Sequence, residues 1–172
     1  MRPGLRKLAL AAHLTVSVGW VGAAAAYVAL DVVAATSRDE QTLRAAFIGM
    51  GLVAGSVIVP MAVATLLTGI VMSFGSRWGL FRHWWVVISL VMTIFAATVL
   101  VVETGTVSAM AVMAADPSAS GEELRGLGNT LVHSIGGSAV LIAILVLNVV
   151  KPRGLTAYGW RMQRLERRRQ PD

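Results

Sequence analysis

The chain has no cysteine, which excludes disulfides, thiolate metal ligands and iron–sulfur clusters. Charge is also scarce. Only 14% of the residues are Asp, Glu, Lys or Arg, against roughly 25% in soluble domains. Of five prolines, Pro60 alone falls inside an apolar run, so long uninterrupted helices are allowed almost everywhere. No nucleophile–base pair, phosphate-binding loop or metalloprotease motif occurs, which argues against an independent enzyme. A net charge of +6 raises nucleic-acid binding, but the basic residues sit in short stretches between apolar blocks and no nucleic-acid-binding motif accompanies them.

What the chain has in excess is apolar surface. Hydrophobic residues make up 56% of its 172 positions, and the mean hydropathy is +0.70. A domain of this length cannot bury that much, so the surplus must face lipid. About 20 mostly apolar residues cross the hydrocarbon layer, and four blocks qualify: 8–36, 45–74, 84–102 and 127–150. The first follows a basic start, "MRPGLRK", but outruns the apolar core of a secretory signal, so it reads as a retained helix. The expected fold is all-α: a four-transmembrane-helix bundle over residues 1–151, with helices at about 5–36, 38–75, 80–114 and 120–151, followed by a basic tail at 152–172.

The boundaries have local causes. "SRDE" offers Ser37 as an N-cap with Glu40 three residues on, and "SGEE" offers Ser120 with Glu123, two capping boxes that would open the second and fourth helices. Asp116-Pro117 closes the third. "GSRWG" is the turn between the second and third, Lys151-Pro152 ends the fourth, and Pro60 should kink the second. At about 1.5 Å per residue the second and third helices are near 50 Å long, more than the ~30 Å hydrocarbon core. Either their outer ends project, or the third breaks near Gly105.

Lys and Arg mark the cytoplasmic side. Arg2, Arg6, Lys7, Arg77, Arg82 and the run from Lys151 to Arg169 place twelve of the fifteen on one side; Arg38, Arg44 and Arg125 are on the other. Both termini are therefore expected in the cytoplasm. Trp78, Phe81, Trp84 and Trp85 would form an aromatic belt at the inner interface, and "YGWRMQRLERRRQ" reads as a basic surface helix contacting anionic lipid.

Helices in lipid associate through small residues. Gly19 and Gly22 on the first helix, Gly51 and Gly55 on the second, and Gly136 and Gly137 on the fourth predict close contacts, within the bundle or across a homodimer. His13, Ser17, Trp20, Ala24, Tyr27 and Asp31 recur at helical spacing, so one stripe of the first helix gathers its polar groups and should turn inward. Asn129, His133, Gly136, Gly137 and Val140 share a face of the fourth, with room beside His133 for a helix or a flat cofactor. His13 and His133 are the candidate haem ligands. Counted from Lys7 and Lys151, they differ in depth by about 18 Å, so they cannot be the two axial ligands of one haem. His133, Tyr27, Asp31, Glu103 and Arg44 fall near the outer boundary, where His133, Asp31 and Glu103 could bind a divalent metal or relay a proton.

"HLTVSVGWVGA", "LLTG", "WGLFRHWWV" and "KPRG" together resemble a group of uncharacterised four-helix integral membrane proteins of actinobacteria. The opening "H…GWVG" is more distantly similar to copper-resistance D-type and b-type cytochrome-like membrane proteins. The resemblance implies a bacterial inner-membrane location and leaves the activity open. Three functions are consistent with the residues: a structural, assembly or accessory membrane protein without catalysis of its own; a redox or metal module holding haem b or a divalent metal; and a proton-coupled small-solute transporter working as an oligomer.

Overall fold

The structure is a computed structural model that describes residues 2–76 and 78–168; Arg77 and Arg169, counted above among the inner basic residues, lie outside the described residues. It is all-α. Among the described residues seven α-helices follow in order: α1 (Pro3–Thr36), α2 (Glu40–Val53), α3 (Val59–Gly75), α4 (Trp84–Ala115), α5 (Gly121–Gly126), α6 (Leu131–Val150) and α7 (Ala157–Arg168). A single π-helical turn, Ala54–Ile58, joins α2 to α3. Four spans are long and apolar enough to cross a membrane: α1, α2 with α3, α4, and α6. Each packs on its neighbours in the ring, first on second, second on third, third on fourth and fourth on first.

Local chemistry explains most boundaries, with two corrections. Pro3 stands in the first turn of α1, where its missing N–H costs nothing. The N-cap of α2 is Asp39, not Ser37: its carboxylate accepts from the Thr42 N–H at 2.8 Å and the Thr42 hydroxyl at 2.7 Å. Those two bonds hold the Asp39 carboxyl below the ordinary carboxylate range. Ser120 and Glu123 do form a capping box, but it opens the short α5 rather than the fourth span. Gly128, at φ +77°, turns the chain before α6 begins at Leu131. Pro60 leaves the Ser56 carbonyl without its usual N–H donor and crowds it. The helix answers with the π turn, in which the Val59 N–H reaches back to the Ala54 carbonyl.

Helix α4 runs without a break through Gly105 to Ala115, at the end of the bundle where α1 meets α2. The best-buried side chains gather there: Phe47, Leu43, Met50, Leu124 and Asp31. Below that level packing is thin, and Leu141 is the only buried residue described for α6. At the other end of the bundle the segment around Thr156 docks on the turn before α4. Its N–H donates to the Arg82 carbonyl at 3.1 Å, and its hydroxyl to the Phe81 carbonyl at 2.5 Å. The expected aromatic belt is divided: Phe81 and Trp84 are exposed, whereas Trp85 is buried with its ring edge-on to Trp78.

The small residues also divide. A Cβ on Gly51 would lie 2.5 Å from the Ala111 Cβ, so Gly51 serves the contact of α2 with α4. Gly55 has nothing within 4 Å of its place for a Cβ. The pair therefore does not form one free face for a second copy. Gly51→Ala is expected to destabilise the folded protein by about 1–3 kcal/mol through overpacking, and Gly55→Ala to leave it unchanged or slightly firmer; unfolding in mixed micelles, followed by circular dichroism, distinguishes the two.

Candidate functional site

The polar stripe of α1 faces the bundle. Trp20, Tyr27 and Asp31 are buried, and His13 and Ser17 are half-buried. Asp31 has no exposed surface. A carboxylate without water must find donors, and all those described come from the start of α6. The Thr130 N–H donates to Oδ1 at 3.2 Å, while the Thr130 hydroxyl at 2.8 Å and the Ser134 hydroxyl at 2.7 Å donate to Oδ2. With its one proton committed to Asp31, Thr130 accepts from the Tyr27 hydroxyl at 3.0 Å. Asp31 thus sits at the positive end of the α6 dipole, and Tyr27, Thr130, Asp31 and Ser134 form one closed network.

Arg44 does the converse. It stands at the carboxyl end of α4, where Nη1 donates to the carbonyls of Ala114 at 3.0 Å and Asp116 at 2.6 Å. Nη2 donates to the Ala119 carbonyl, and Glu40 completes the set at 2.9 Å. The expected outer cluster is therefore two separate ties. Among the described residues no group of three His, Asp or Glu is placed to hold a metal ion. The expected metal set is divided because Asp31 turns inward to Thr130 and Ser134, leaving His133 and Glu103 as a pair. His133 Nε2 lies 3.9 Å from Glu103 Oε1, beyond hydrogen-bond reach.

That pair marks one end of a crevice of about 660 Å³ between α4 and α6. Toward the other end of the two helices, the Asn148 amide donates to the Ser89 hydroxyl at 3.1 Å. Between these points Gly136 and Gly137 carry no side chain to fill the gap, and nothing lies within 4 Å of where their Cβ atoms would be. Trp20 of α1 and Ile58 of the π turn close the back, and Phe95 and Val140 line the sides. Phe95 and Val132 are exposed, so the mouth opens on the outside of the bundle.

His13 lies elsewhere. Thr68 gives its proton to the Ala64 carbonyl at 2.7 Å, so its oxygen accepts from His13 Nδ1 at 2.9 Å. Gly69 leaves space for the ring, since a Cβ there would be 3.2 Å from His13 Cε1. His13 is a packing donor between α1 and α3, with Thr68 as its partner. Two residues central to the Asp31 network, Thr130 and Ser134, were not singled out by sequence reasoning. Their signal was present: Thr130, Ser134 and Ser138 recur every fourth residue and mark the inward face of α6. His133, one position away, is exposed.

Asp31→Ala removes the acceptor shared by two hydroxyls and an N–H. It is expected to cost on the order of 1–3 kcal/mol, with faster amide exchange across 131–150 by mass spectrometry; Asp31→Asn, which keeps an acceptor, should lose less. Comparison with family models, curated proteins and solved structures gives no match.

Proposed function

We propose that the chain is a non-catalytic accessory protein of a bacterial inner membrane, with both termini cytoplasmic, that holds a membrane-dissolved amphiphile in the crevice between α4 and α6. The observation that carries the reading is the crevice itself: apolar walls, a floor of two glycines and one ionisable pair at its end. Apolar walls suit a hydrocarbon body, and a few convergent polar groups suit a head that fixes orientation. The gap of 3.9 Å between His133 and Glu103 fits a head bearing a hydroxyl, which would donate to the carboxylate and accept from the imidazole, or an ammonium, which would donate to both. Asp31, with three donors already on it, serves the scaffold rather than a proton path.

A second reading, a single-histidine haem module, draws on the same wall, because His133 and both glycines line it. His13 and His83 do not join it: they bond Thr68 and the Trp78 carbonyl. The actinobacterial resemblance agrees with either reading. The orientation rests on the two ends of the bundle. Arg82, Lys151, Arg153 and the start of α1 belong to one end, and Asp39, Asp116, Glu122 and Glu123 to the other.

Two outcomes are expected. A photoreactive alkyl-amine probe should label the segment 131–150 of the reconstituted protein and lose most of that labelling in Gly137→Leu and in Glu103→Gln; equal labelling of all three proteins sinks the amphiphile reading, and a Soret band abolished by His133→Ala replaces it with haem. Because the chain has no cysteine, single cysteines report sidedness: Glu122→Cys should react with an impermeant maleimide in intact cells, and Ala157→Cys only after lysis.

A further inference from the structure

Helix α7 follows the last span by six residues, and its position is set by the rest of the chain. The Thr156 hydroxyl accepts from the Gly159 N–H at 3.0 Å and so caps the start of the helix. Gly159 lies against the Arg82 carbonyl, where no side chain would fit. Glu166, the one acidic residue in α7, turns to Arg82 at 2.5 Å. The Trp84 N–H, at the first residue of α4, donates to the Gly154 carbonyl at 3.2 Å. The helix is therefore held where the third span begins and the fourth has ended, which is the interfacial level if the spans lie in a bilayer.

The face left outward is not an ordinary solvated one. Arg161, Arg164 and Arg168 recur at helical spacing and form one stripe. With Glu166 engaged by Arg82, α7 offers that stripe no acid. Trp160 lies on one flank and Leu165 and Tyr158 on the other, exposed by 53%, 42% and 55%. Ala157, Trp160, Leu165 and the three arginines lie together on this face. Guanidinium forks match phosphate oxygens, and exposed aromatic and aliphatic groups beside them favour the boundary between headgroups and acyl chains.

We propose that the outward face of α7 is a binding surface for anionic phospholipid headgroups. This rests on the four spans lying in a bilayer and is independent of what fills the crevice. The test uses the full chain in mild detergent, with phosphatidylglycerol and phosphatidylcholine offered in equal amounts and retained lipid counted by native mass spectrometry. Wild type should retain phosphatidylglycerol preferentially. Replacing Arg161, Arg164 and Arg168 together by Gln should lower that preference roughly tenfold or more, while replacing them by Lys should preserve most of it. Substituting Gln for Arg2, Arg6 and Lys7 removes the same charge from the same end and should leave the preference intact. Equal retention of both lipids by wild type, an unchanged preference in the Arg161/Arg164/Arg168 Gln variant, or an equal loss in the amino-terminal variant would overturn the proposal. So would occupancy by inorganic phosphate with no dependence on the lipid offered, which would make this a site for a free anion.

Discussion

The fourth span is held to the bundle by a buried carboxylate. Helices dissolved in lipid have no hydrophobic reason to associate, and Leu141 is the only residue described as buried in α6. The bond of Asp31 to the start of that helix supplies what apolar contact does not. It satisfies an N–H that α6 itself cannot pair, and it sets the depth at which α6 meets α1. The carboxylate in turn needs α6, because a charge removed from water must be met by donors or neutralised. The dependence is mutual, and the helix end and the acid come from positions 99 residues apart.

The same logic, with the sign reversed, governs Arg44 at the end of α4. A carboxyl group meets a helix start and a guanidinium a helix end, each complementing the local dipole. Together they brace the end of the bundle where Leu43, Phe47, Met50 and Leu124 build its tightest core. Where the spans are surrounded by hydrocarbon, packing relies on small residues and single polar bonds. There the structure tolerates a gap: α4 and α6 are bonded at Ser89 and Asn148 and approach at Glu103 and His133, while Gly136 and Gly137 between leave the crevice open.

Much of the architecture was legible in the sequence, and the errors share a cause. The lengths of the apolar blocks identified four spans, and the alignment of His13, Ser17, Trp20, Tyr27 and Asp31 identified the inward stripe of α1. Spacing on one helix says which residues share a face but not what stands opposite. His133 and Asp31 were grouped by depth, yet depth omits the rotation of α6, which presents Thr130 and Ser134 to Asp31 and turns His133 outward. Gly51 and Gly55 share a helix face, but only Gly51 meets Ala111, because the π turn begins at Ala54 and changes the facing between them.

The sequence alone determined that the chain is helical, that four segments are long and apolar enough to cross a bilayer, and that basic residues crowd the ends of some spans and acids the others. Those properties are one-dimensional: they depend on run length, composition and order. The tertiary structure alone decided which donor each buried polar group takes, where the small residues make contact and where they leave space. Those outcomes depend on the rotation and separation of neighbouring helices, to which distant parts of the chain contribute jointly.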